Sequence, residues 1–96
     1  MIIHTVVFNL KYAEGSVKEK KFFDAVGQLA TIPGVQHFTA LRQVNPATPF
    51  DFGLSMEFAN LELYTQYTKH PDHIYFVHHY WKLGVIDFME IDYEPM

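Results

Sequence analysis

The chain has 96 residues, enough for one compact domain. Its net charge of −4, with His neutral and no basic stripe, argues against nucleic acid as a partner. With no cysteine it can hold neither a disulfide, a thiol nucleophile nor a Cys-ligated metal or iron–sulfur site. No apolar run is long enough to span a bilayer, and no basic region precedes a long apolar run at the start, so no membrane and a cytoplasmic location are expected. Against these limits stands an excess of greasy side chains: 49% hydrophobic and 17% aromatic residues, with nine Phe and six Tyr. So small a domain hides a limited fraction of its surface, so the excess predicts a self-associating surface, hence a homodimer, or an apolar cavity.

Ile2 to Lys11 reads as a strand, rich in β-branched and aromatic residues. One face carries Ile2, His4, Val6, Phe8 and Leu10, the other Ile3, Thr5, Val7 and Asn9. Both are largely apolar, which predicts a central strand covered on both sides. Ser16-Val17-Lys18-Glu19 forms a capping box. Phe22, Val26 and Leu29 follow at helical spacing, and Thr31-Ile32-Pro33-Gly34 stops the helix. Lys18, Lys20 and Lys21, interleaved with Glu19, read as its solvated face.

Val35 to Val44 reads as a second strand and Asp51 to Ala59 as a third, joined through a loop with Pro46 and Pro49. The third alternates Phe52, Leu54, Met56 and Phe58 against Asp51, Gly53, Ser55 and Glu57. Asn60 caps a short helix from Leu61 to about Lys69. Pro71 opens another, with Ile74, Val77 and Trp81 on one face and Gly84 at its end. Ile86 to Tyr93 is the last strand. The order βαββαβ predicts an α+β, ferredoxin-like domain over residues 1–96: a four-stranded antiparallel sheet with helices on one face. The bare sheet face then needs cover, which a second copy can supply as a dimeric α/β barrel.

Tyr67-Thr68-Lys69-His70-Pro71-Asp72-His73 is the most chemically suggestive stretch. Pro71 lacks an N–H and disfavours helix at the residue before it, so the chain turns a corner there. A corner can aim Tyr67 and His73 at one spot. A phenol facing an imidazole is a minimal set for moving a proton beside a carbonyl.

Several features in order resemble the stress-responsive α/β-barrel (Dabb) family: Ile2-Ile3-His4-Thr5-Val6-Val7-Phe8, Ile32-Pro33-Gly34-Val35, Asp51-Phe52-Gly53-Leu54, His70-Pro71-Asp72-His73 and Ile91-Asp92-Tyr93-Glu94. The resemblance implies a ferredoxin-like subunit and a dimer with sheets face to face. The family includes a plant polyketide cyclase that closes olivetolic acid by aldol condensation. By that resemblance His73 is the expected general base, Tyr67 its assisting phenol and His4 a pocket-lining group. The cyclase's helix-borne tyrosine falls at Val26 here.

Each residue also has a plainer role. His73 can cap or pack at the corner, and Tyr67 can be a core aromatic. His4, polar among Ile2, Val6 and Phe8, must be hydrogen-bonded or face a cavity. Asp92 can orient an imidazole or make a surface hydrogen bond. The expected walls of an apolar pocket are Val6, Phe8, Phe22, Phe23, Val26, Leu54 and Trp81. His70, His73, His78 and His79 invite a metal reading, but Pro71 interrupts the helix and adjacent histidines diverge, so no metal and no cofactor are expected. Three functions follow: a cofactor-free lyase or cyclase acting on a hydrophobic carbonyl compound, a non-catalytic stress-response or binding protein, and a cofactor-free monooxygenase.

Overall fold

The computed structural model describes all 96 residues. Strand β1 (Ile2–Leu10) is followed by helix α1 (Val17–Gln28) and a 3-10 turn, Leu29–Thr31. Strands β2 (Gln36–Arg42) and β3 (Phe52–Phe58) come next, then helices α2 (Leu61–Lys69) and α3 (Pro71–Phe76). A π-helical turn, Val77–Trp81, and a last α-helical turn, Lys82–Gly84, lead into β4 (Val85–Tyr93). The strands form one sheet in the order β2-β3-β1-β4, every neighbouring pair antiparallel. This is the expected ferredoxin-like α+β arrangement.

Local chemistry sets the helix ends. Ser16 Oγ accepts from the Glu19 N–H at 3.2 Å, and Glu19 reaches back to the Gly15 N–H at 3.1 Å, so the box closes one residue before the cap. Asn60 caps α2 by accepting from the Leu63 N–H at 2.9 Å. α2 stops at Lys69 and α3 starts at Pro71. There the His70 imidazole caps α3, its Nδ1 accepting from the Asp72 N–H at 3.1 Å. Gly84 ends the helical stretch where space is shortest: a Cβ there would sit 2.8 Å from the Tyr12 ring. In β2, His37 takes a left-handed φ of 51° within the register shift between Gln36 and Thr39.

Helices cover only one face of the sheet. On it Val6, Phe8, Leu10, Phe52, Leu54, Met56 and Phe58 join Phe22, Val26, Leu29, Ile32, Tyr67 and Phe76 in a single buried cluster. The opposite face, read from the strand register, carries Ile3, Thr5 and Val7 of β1, Leu41 of β2, and Met89, Ile91 and Tyr93 of β4. β1 is central in hydrogen bonding, but within one subunit it is covered on one side alone, because both helices cross over on the same side. Ile74 departs from the expected inward stripe: the corner turns His73 and Phe76 toward the sheet, and Ile74 stays exposed.

Candidate functional site

A cavity of about 310 Å³ lies between the sheet and α3 with its π-helical extension. Val6, Leu54 and Met56 form its floor on β1 and β3, and Leu29, Phe76, Val77 and Trp81 face them from the helical layer. Its mouth is at the β4 edge, where exposed Phe88, Glu90 and Lys82 complete the lining. The mouth exists because the helices stop short of β4, whose residues from Ile86 onward are all exposed. The Trp81 and Phe88 rings meet edge to face at 5.5 Å and close one end of it.

Tyr67, His73 and His4 come together in this cavity. The Tyr67 and His73 rings are 4.5 Å apart, and the His4 ring is 6.4 Å from Tyr67. His73 Nδ1 donates to the Thr68 carbonyl at 3.1 Å. That carbonyl is one of the last in α2, which has no further helical N–H to serve it. The bond fixes the tautomer and leaves Nε2 as the unprotonated nitrogen. Burial, above all, pushes the His73 pKa below the usual imidazole value of 6.5; the Thr68 bond and Glu90 oppose that shift, and His4 adds to it. Tyr67 is 3% exposed, and burial, with the Glu90 carboxylate nearby, pushes its phenol well above the usual 10.0. It therefore stays a donor at neutral pH. No protein group engages its hydroxyl. Because no buried side-chain polar atom is left unpartnered, that hydroxyl is open to the cavity.

His4 is held by a three-membered polar cluster. Its Nδ1 donates to Asp92 Oδ1 at 2.6 Å. The Tyr64 hydroxyl donates to Asp92 Oδ2 at 2.8 Å, with its oxygen 2.9 Å from His4 Nδ1. The carboxylate thus locks one imidazole tautomer and ring orientation, as carboxylates do for catalytic and ligating histidines. Strand register produces the meeting: Asp92 is the cross-strand partner of His4, so both point to the helical side. Burial and the Asp92 hydrogen bond push the Tyr64 phenol above its usual range.

Of the expected wall residues, Val6, Leu54 and Trp81 line the cavity, as does His4. Phe8, Phe22, Phe23 and Val26 do not reach it. Phe8, Phe22 and Val26 are at most 1% exposed and fill the core under α1, and Phe23 packs on Phe8, Phe22 and Phe52. The physical reason is the helix arrangement: Phe22 and Val26 of α1 fill the core beside Phe8, whereas the cavity opens under α3 and its π-helical extension. Tyr64 and Glu90 are site residues that the sequence motifs do not single out. Tyr64 precedes Tyr67 by one turn and so shares its face. Glu90 shares the inner face of β4 with Asp92 at the two-residue strand period. No three His, Cys, Asp or Glu side chains converge closely enough to hold a metal ion, and no helix is long and apolar enough to cross a membrane.

Comparison with known proteins finds relatives of the chain and its fold. A crystal structure of a Dabb-family protein with a ferredoxin-like fold from Mesorhizobium loti is 51% identical, with a TM-score of 0.95 over 99% of this chain and 96% of that one. A dimeric ferredoxin-like protein of unknown function from Thermobifida fusca is 18% identical, with a TM-score of 0.80 over 98% and 90%. The hydroxynitrile lyase of Passiflora edulis is 14% identical, with a TM-score of 0.83 over 96% and 90%. No curated protein sequence matches the chain. The model of the stress-responsive A/B barrel domain matches residues 2–95, and the protein belongs to that family.

Proposed function

We propose that the protein is a homodimer whose subunits each bind a hydrophobic carbonyl compound in the cavity, and that it catalyses a cofactor-free lyase or cyclase step there. The observation that carries this reading is the unengaged Tyr67 hydroxyl beside an imidazole whose pKa burial has lowered. Neutral His73 takes a proton from the carbon next to a carbonyl through Nε2. The electron pair moves onto the carbonyl oxygen, where the Tyr67 O–H donates a hydrogen bond as negative charge grows. In an aldol-type closure the enolate carbon then bonds to a second carbonyl of the same ligand, and His73 returns its proton to the new alkoxide. Run backwards, the same two groups serve cleavage. This is the chemistry of the plant polyketide cyclase in the family, and the Passiflora lyase shares the fold. His4, oriented by Asp92 and Tyr64, positions the ligand.

One observation favours the non-catalytic alternative: His73 already serves α2 by capping the Thr68 carbonyl. The two roles use different nitrogens and can be separated. His73→Asn puts an amide N–H close to the place of Nδ1, keeping the cap without the base. A panel of poly-β-keto substrates, assayed with wild type, His73→Asn and Tyr67→Phe, tests the reading. Turnover falls about 10²–10⁴-fold in His73→Asn, the usual contribution of a general base. Equal turnover by wild type and His73→Asn removes His73 as the base.

A further inference from the structure

A second cavity, of about 270 Å³, lies in the groove between the end of α1 and the start of α3. It is bordered by Ala25, Gln28, Thr31, Asp72, Tyr75 and Tyr80, and is more polar than the first. Two residues, Leu29 and Phe76, line both cavities. They are 3% and 5% exposed, so the two spaces stand back to back across a wall one side chain thick. Both wall residues sit where a helix loses its regular hydrogen bonding. Leu29 begins the 3-10 turn after α1, and Phe76 is the last residue of α3 before the π-helical turn. In that turn the Lys82 N–H reaches back to the Val77 carbonyl, one residue further than in an α-helix. Such irregular turns are where helical backbone yields most easily, and π-turns are frequent at functional sites.

We infer that Leu29 and Phe76 set the length of ligand that the site accepts, by separating the inner chamber, which holds His73 and Tyr67, from an outer chamber on the helical surface. This deepens the reading of the inner cavity as a ligand site and rests on it. A chain that enters at the β4 edge with its carbonyl near Tyr67 runs toward Leu29 and Phe76. It stops there unless the wall is thinned, and then its far end reaches the groove walled by Gln28, Thr31 and Asp72.

The test uses straight-chain methyl ketones of rising length. Trp81 is the only tryptophan and a wall of the inner chamber, so its emission reports binding, with calorimetry as a second readout. In the wild type, affinity rises about fourfold per added methylene, as buried CH₂ groups do, until the chain meets the wall, and then stops rising. In Leu29→Ala and Phe76→Ala the rise continues past that length. Leu29→Val and Phe76→Leu remove less volume from the core and extend the rise by a smaller amount, which keeps the test open if an alanine variant fails to fold. Ketones that bind every folded variant with the same cut-off length overturn the wall and leave the inner site standing. No ketone binding to any folded variant, wild type included, overturns both.

Discussion

The proposed face-to-face dimer predicts that one lysine on the open sheet face separates the subunits without disturbing the cavity. On that face Leu41, Met89 and Tyr93 are 51%, 51% and 52% exposed, and Ile91 is 37% exposed. Burying the remaining area of four such side chains contributes roughly 1 kcal/mol each, or about 8 kcal/mol for the two subunits together. Val7 lies among them, on the central strand, with Gly53 and Met89 as its cross-strand neighbours. Val7→Lys places two ammonium groups in the joint. Even with relaxation, an unpaired ion costs several kcal/mol to bury. At about 3 kcal/mol per subunit the loss is about 6 kcal/mol per dimer, roughly four decades in Kd. Sedimentation velocity at micromolar concentration then shows a dimer for wild type and a monomer for Val7→Lys, with unchanged far-ultraviolet circular dichroism. Leu83→Lys, on the helical side where Leu83 is already 58% exposed, leaves the dimer intact. A wild-type monomer, or a Val7→Lys protein that still sediments as a dimer, refutes the reasoning.

Two further predictions concern the site. Because burial lowers the His73 pKa, the acidic limb of kcat/KM for a turned-over substrate has its midpoint below 6.5. Activity is lost as pH falls through that midpoint and is level at neutrality. Glu90 raises the His73 pKa, so Glu90→Gln moves the limb to still lower pH, and a shift toward higher pH would contradict the assignment. Tyr64→Phe removes the donor to Asp92 and the contact to His4. Asp92 has a side chain 43% exposed, so water replaces part of the loss, and chemical denaturation records a decrease of about 1 kcal/mol. Asp92→Ala, which removes the carboxylate that accepts from His4 Nδ1, broadens the His4 ring resonances in nitrogen NMR as the single tautomer is released, whereas Tyr64→Phe keeps them sharp. Unaltered His4 resonances in Asp92→Ala would show that the carboxylate does not hold the ring.

Much of this molecule is legible in its sequence, for identifiable reasons. Strand alternation at Phe52, Leu54, Met56 and Phe58 fixes which face of β3 is inside, because a two-residue period leaves no other choice. Pro71 fixes the corner because its ring and missing N–H act locally. Tyr67 and His73 flank that corner at short range, so their meeting follows from it. The cavity walls were harder to read, since four aromatic and aliphatic residues of β1 and α1 are as greasy as true walls. What distinguishes Phe22 from Trp81 is which part of the helical layer stands over the cavity, a property of tertiary packing. The His4–Asp92–Tyr64 cluster joins three elements, and its assembly depends on the exact register between β1 and β4. The exposed face of β4 was implied by the excess of apolar residues, though composition does not say which strand carries it.

The pairing of β1 with β4 has a consequence for how the protein is made. His4 leaves the ribosome 88 residues before its carboxylate partner. Until β4 has cleared the exit tunnel, the imidazole has no Asp92 to face and the pocket lacks its rim of Phe88 and Glu90. Nascent chains can therefore lay α1 on β1 and β3 early, while the cavity is complete only once β4 has paired. Closing so long a loop is slow compared with forming helices. During that interval β1 is an edge strand whose unpaired backbone groups are open to pairing with another chain.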